Sequence, residues 1–201
     1  MDIDTPSDTF KNISFKKQDQ FKKLVSHLEE NVSSADHHLC LFLGLYEQSK
    51  KKALKQVAQA TGLEVKKIDF NDIISKVEQE TYDNLDELFY DLDKKQKLIY
   101  FTNGDKLCGA YTGFTHSKVK YATPQERYFL KKVKDFEGLV IIDISEYDNA
   151  DETMLRAAQS IVKFPLPDSR LQRFWWHLKH YSLHGFDIKT KRPDRYLEGS
   201  V

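Results

Sequence analysis

The residues with the clearest chemical promise lie around position 44. Gly44 and Lys50 stand six apart in the run Gly44-Leu-Tyr-Glu-Gln-Ser49-Lys50-Lys51, where a buried apolar stretch gives way to a helical pattern. A glycine, a short loop and a lysine at a strand-to-helix turn are the parts with which a chain wraps a phosphate. Backbone N–H groups and the helix N-terminus face the anion, and the lysine reaches it. Gly44, Ser49, Lys50 and Lys51 are therefore the candidate anion-binding residues. Lys50, Lys51 and Lys52 crowd positive charge onto the start of a helix, against its dipole. A phosphate or another subunit's acidic patch would relieve that, and a solvated helix face is the plainer reading. His177, His180 and His184 share one helix face, a spacing that can hold a metal. No carboxylate or cysteine completes the set locally, and Trp175, Trp176 and Tyr181 interleave, so the expectation is a packed aromatic helix and no metal. Cys40 and Cys108 read as buried thiols acting as small hydrophobes.

The elements that must position these groups follow from the apolar pattern. The first 36 residues are polar, with Phe15, Phe21, Leu24, Val25 and Leu28 at helical spacing. His38 to Leu43 is apolar on both faces, which predicts a buried strand. A helix is predicted over Ser49 to Ala60 with Gly62 as its stop. Further strands are predicted over Glu64–Phe70, Lys97–Thr102, Gly138–Ile144 and Ser160–Phe164. Helices are predicted over Asn71–Glu80, Leu85–Leu92, Glu126–Lys134, Asp151–Ala158 and Arg170–Leu183, and a long loop over Gly109–Pro124. Strands alternating with helices make an α/β protein, a three-layer doubly wound parallel sheet whose ligands sit at the carboxyl ends of the strands.

Composition narrows the function classes. The 201 residues carry 31 Lys and Arg against 31 Asp and Glu, so the net charge is zero. That balance disfavours a dedicated nucleic-acid binder or a membrane-surface protein. No apolar run approaches the roughly 20 residues that span a bilayer. The polar, acidic start and two cysteines predict no signal peptide and a reducing, cytoplasmic setting.

Five ordered blocks together resemble the large subdomain of AAA-type P-loop ATPases. They are Gly44 to Lys51; Ser75 to Phe89; Lys97-Leu-Ile-Tyr-Phe-Thr102-Asn103-Gly-Asp105; Asp135-Phe-Glu-Gly-Leu-Val-Ile-Ile142; and Asp151 through Arg156 to Asp168. The resemblance covers about residues 38 to 170 and implies a sheet of five strands in the order 5-1-4-3-2. It divides the chain into an N-terminal helical segment (1–36), an AAA-like core (37–168) and a C-terminal helix with tail (169–201). The 33 residues after Asp168 are too few for the family's helical lid, so a truncated helical C-terminus is expected.

The same resemblance shows what this chain has lost. Ser49 replaces the second loop glycine and Lys51 the hydroxyl that would bind Mg²⁺, for which an ammonium has no lone pair. Thr102 and Asn103 stand where the family has its metal-holding Asp and its catalytic Glu. Asp105 is the nearest carboxylate, Ser145 takes the sensor position, and Arg156 is the candidate arginine finger. Lys76 is followed by Val77 where the pore loop has its aromatic. A single base or finger is already worth about 10³ to 10⁵ in rate, so their joint loss predicts no hydrolysis. The expectation is a catalytically degenerate domain that acts as scaffold, cap or regulatory subunit. Its expected partner is a protein, either an active AAA subunit or a second copy, and not nucleic acid or membrane. No cofactor is expected; ATP with Mg²⁺ is what the loop would hold if it held one. Two alternatives stand beside this: a divergent ATPase using Lys50, Asp105 and Ser145, and an anion or nucleic-acid module using Lys50 to Lys55 and the tail Lys189 to Arg195.

Overall fold

The computed structural model describes residues 10–31, 37–92, 98–111, 120–145, 147–166, 169, 171, 173 and 174. Contacts divide the chain into two units, Met1–Pro165 and Leu166–Val201. In the first unit the elements run β1 (Ile13–Ser14), α1 (Gln18–Asn31), β2 (His38–Leu43), α2 (Glu47–Thr61), β3 (Val65–Asp69), α3 (Phe70–Ile73) and α4 (Glu78–Asp91). They continue with β4 (Leu98–Thr102), β5 (Ala110–Tyr111), β6 (Lys120–Tyr121), α5 (Pro124–Asp135), β7 (Leu139–Ile144), α6 (Glu152–Ala157) and β8 (Ser160–Lys163). In the second unit the Arg173 N–H donates to the Ser169 carbonyl at 3.0 Å, a helical turn.

Six strands form one sheet in the order β1-β8-β2-β7-β4-β3, with every pair parallel. The expected five-strand order 5-1-4-3-2 is therefore corrected: counted along the chain the sheet runs 1-6-2-5-4-3. The unforeseen strand is β1, which pairs Ile13 with Val162 and Ser14 with Lys163 at the sheet edge. Two residues carry no period, so no pattern marks them. Two other expectations change. The helix expected over 71–80 is the short α3 followed by the start of a single α4. The loop expected over 109–124 carries an antiparallel pair, β5 with β6.

Alternation along each strand builds two cores. Leu39, Leu41, Leu43, Phe101, Val140, Ile142 and Ile144 face Leu85 of α4, Phe129 and Val133 of α5 and Met154 of α6. Cys40, Phe42, Tyr100, Ile141 and Val162 face Phe21, Leu24 and Leu28 of α1 and Ala53, Leu54 and Val57 of α2. The layers are thus helices, sheet, helices. Phe70, Phe101 and Phe129 lock the first face, with ring centroids 4.7 to 5.2 Å apart in stacked and edge-on pairs. Gly62 ends α2 at φ +66, the left-handed cap that its position predicts.

At the amino ends of the strands, His38 Nε2 lies 2.9 Å from Ser160 Oγ, both side chains being buried. Burial, then the charges of His27 and His37, push His38 down to about 4. The folded chain holds it neutral, whereas the unfolded chain protonates it near 6.5. Its contribution is present above about pH 6.5 and is lost as pH falls through 4. We expect about 3 kcal/mol of acid destabilisation over that window, removed in His38→Asn. Urea unfolding at both ends of the window checks this; an equal loss in the variant contradicts it. Burial pushes the neighbouring Cys40 thiol up to about 12, against a hydrogen bond from Ser160, so it is an inert thiol.

Candidate functional site

The candidate site lies where β2, β4 and β7 end. Gly44 follows β2 with φ +136, and its N–H donates to the Ile144 carbonyl at 3.0 Å. A Cβ there would sit 2.4 Å from the Phe164 carbonyl oxygen. Glycine is demanded at this point by backbone packing against the end of β8. The chain then turns through Leu45 and Tyr46, and α2 starts at Glu47 without a side-chain cap.

Lys50 points inward and is 3% exposed. Its Nζ donates to Asp143 Oδ1, and to the Ile144 carbonyl at 3.0 Å. The other Asp143 oxygen accepts from the Tyr100 hydroxyl at 2.5 Å. Asp143, on β7, is 19% exposed. Burial, the Asp143 charge and this hydrogen bond raise the Tyr100 hydroxyl far above its ordinary range, so it stays a donor. An ammonium this deep in the fold needs a counter-charge and fixed acceptors, and Asp143 with Ile144 supplies both. The lysine expected to reach a phosphate is held by a carboxylate of the chain itself. The other two loop residues are ordinary helix positions. The Ser49 N–H donates to the Tyr46 carbonyl at 3.1 Å, and Lys51 pairs with Glu47 at 3.6 Å on the exposed face.

Asp105 and Ser145, separated by 40 positions, meet directly. The Ser145 hydroxyl donates to Asp105 Oδ2 at 2.7 Å, and the Ser145 N–H lies 3.0 and 3.1 Å from its two oxygens. Asn149 Nδ2 donates to Oδ1 at 2.7 Å. Asp105 thus fastens the turn after β7, and its lone pairs are largely taken up by that task. Thr102 Oγ1 reaches the Ile68 carbonyl at 3.4 Å. Asn103 takes the left-handed region at φ +58 and donates from Nδ2 to both oxygens of Asp69, at 2.8 and 2.9 Å. The Asn103 bond, then the Asn71 N–H, hold the Asp69 carboxyl below its ordinary range. Arg156, in α6, is 77% exposed and paired with Glu152 one turn before it.

The site therefore brings together Gly44, Lys50, Asp105 and Ser145 at one end of the sheet, with Thr102 and Asn103 beside them. It does not join Arg156 to them through any hydrogen bond or ion pair described here. Asp143 and Tyr100 were not anticipated. The signal for Asp143 was present: an aspartate inside the apolar run Leu139-Val-Ile-Ile-Asp143-Ile must find a cation or donors. His177, His180, His184, Trp175, Trp176 and the tail Lys189 to Arg195 lie outside the described residues. Among the described residues no group of three or more His, Cys, Asp and Glu could hold a metal, and no helix is long and apolar enough to cross a membrane.

Fold and site together define an α/β protein with an all-parallel sheet between helical layers and a polar cluster at its carboxyl edge. In fold it is similar to a chain of the E. coli MS115-1 HORMA:CdnC:Trip13 complex, at a TM-score of 0.54 and 13% identity, over 86% of this chain and 69% of that one. No protein-family model matches the chain, and no curated protein matches it.

Proposed function

We propose that the chain is a catalytically degenerate AAA-like domain that works by protein contact, as a scaffold, cap or regulatory subunit, and not by ATP hydrolysis. The observation that carries this reading is the buried Lys50–Asp143 pair. A lysine that serves phosphate must be available to it, and this one is neutralised within the fold. The hydrolytic parts lend no support to the divergent-ATPase alternative: Asp105 is engaged by Ser145 and Asn149, and Thr102 and Asn103 are neither anion nor base near neutral pH. The AAA-like assignment draws support from the neighbours inside the sheet. Leaving aside the edge strand β1, they follow as β8-β2-β7-β4-β3. The protein-contact part draws support from the similar chain, which sits in an assembly of HORMA, CdnC and Trip13.

Phosphate release from ATP and Mg²⁺ tests the reading. The chain and Lys50→Ala should give the same background, and a release that depends on Lys50 would overturn it. Arg156 is the residue with which this domain would act on an active neighbour. Because its pair with Glu152 is exposed, Arg156→Ala should change stability by less than about 0.5 kcal/mol. The same variant should lower the ATPase rate of an active AAA partner reconstituted with it; an unchanged rate would remove the finger role.

A further inference from the structure

A second polar cluster among the described residues lies where Gly109 leads into β5 and where α5 and α6 begin. Glu126, in the first turn of α5, is 0% exposed, and neither of its carboxyl oxygens has a well-formed hydrogen bond. Asp151, the cap of α6, is 3% exposed. Its Oδ1 accepts the N–H groups of Thr153 at 2.8 Å and Met154 at 3.1 Å. Its Oδ2 accepts the Gly109 N–H at 2.9 Å, which leaves that oxygen one further acceptor site. Gly109 is held tightly here: a Cβ on it would lie 2.2 Å from the Tyr121 carbonyl oxygen and 3.0 Å from Asp151 Oδ2. A charged Glu126 would be a second buried anion beside the first, with only the backbone N–H groups of Gly109 and Thr123 acting in its favour. A protonated Glu126 is itself a donor, and Asp151 is the acceptor beside it.

We propose that Glu126 and Asp151 share one proton, and that this shared proton clamps the β5–β6 pair to α5 and α6 until it is withdrawn. Asp151 holds two elements by hydrogen bonds, the approach to β5 through Gly109 and the start of α6 through Thr153 and Met154, and it acts on Glu126 of α5 beside it. Loss of the proton sets two anions against each other where water cannot screen them. Electrostatics agree with the geometry. Burial first, then the hydrogen bond and charge of Asp151, push Glu126 up to about 9, while backbone N–H groups of Gly109 and Thr123 work the other way. Burial opposes the charge of Asp151, but the bonds from Glu126, Gly109, Met154 and Thr153 outweigh it and hold that carboxyl below its ordinary range. Among the described residues, Asp151 is the charged group that acts on Glu126.

Because Glu126 is raised in the folded state, its contribution is whole below the unfolded value of 4.5 and is lost as pH rises through about 9. Glu126→Gln keeps the shape and a donor toward Asp151 and cannot lose its charge state. Its melting temperature should pull ahead of the wild-type chain as pH rises from about 4.5 to 9, reach a lead of roughly 5 °C or more, and then level. Amide exchange at 109–111 and 120–122 should be faster in the wild-type chain than in the variant at equal pH above 9. A lead that stays constant through the window overturns the proposal, as does stabilisation by millimolar Mg²⁺ or Ca²⁺ that vanishes in Glu126→Gln. Should the variant fail to fold, infrared spectroscopy of the wild-type chain decides: a protonated-carboxyl band at neutral pH is expected, and its absence overturns the clamp.

Discussion

Asp143→Ala is expected to cost the fold about 3–5 kcal/mol, the loss typical of removing one partner from a buried ion pair. Asp143 is the counter-charge of Lys50, whose side chain is 3% exposed, and the acceptor of the Tyr100 hydroxyl. The alanine leaves the ammonium with the Ile144 carbonyl alone and strands the phenol. The double variant Lys50→Met with Asp143→Leu should recover most of the loss, because a well-packed apolar pair of similar volume replaces a buried ion pair at little cost. Urea unfolding of the two single variants and the double closes the cycle and isolates the coupling. A loss below about 1 kcal/mol in Asp143→Ala would mean that Lys50 can swing to solvent. The site would then be open to an anion.

Gly44→Ala should cost about 4 kcal/mol, for two independent reasons. At φ +136 an L side chain is strained, worth about 1–3 kcal/mol. The new Cβ would also stand 2.4 Å from the Phe164 carbonyl oxygen, which is backbone and cannot step aside cheaply. A forced backbone shift in a packed core adds about 1–3 kcal/mol. The melting temperature of Gly44→Ala checks this, with Gly62→Ala as reference. Gly62 also has positive φ, but nothing lies within 4 Å of its Cβ position, so its loss should be the smaller. Equal losses would mean that conformation alone, and not the approach to Phe164, governs position 44.

What the sequence told of this protein and what it hid divide along physical lines. The buried strands were legible because His38–Leu43 and Leu139–Ile144 are apolar on both faces, and only a sheet covered on both sides needs that. The end of α2 was legible because Gly62 is suited to a left-handed cap. The edge strand β1 and the β5–β6 pair were not, being two residues long, and β1 is held by a partner far along the chain. The unity of α4 was hidden by Thr81 and Asn84, poor helix residues whose side chains are satisfied elsewhere. Thr81 Oγ1 accepts the Ser75 N–H, and Asn84 Nδ2 donates to the Ile73 carbonyl. In the site, Gly44, Ser49, Lys50, Lys51, Asp105 and Ser145 could be named from spacing and resemblance. Their partners could not: Lys50 and Asp143 are 93 residues apart, and no local pattern links them. The reason for Gly44 was also out of reach, since it lies in the backbone of Phe164.

The central claim is that Lys50 already has its anion. Thermal melting of the chain with millimolar Mg²⁺-ATP and Mg²⁺-ADP, beside Lys50→Ala, tests it most directly. A ligand that binds the native state at a hundredfold excess over its dissociation constant stabilises by about 2.7 kcal/mol, which a melt resolves as several degrees. We expect no shift with either nucleotide. A clear upward shift in the wild-type chain, absent in Lys50→Ala, would contradict the account and return the loop after β2 to nucleotide binding.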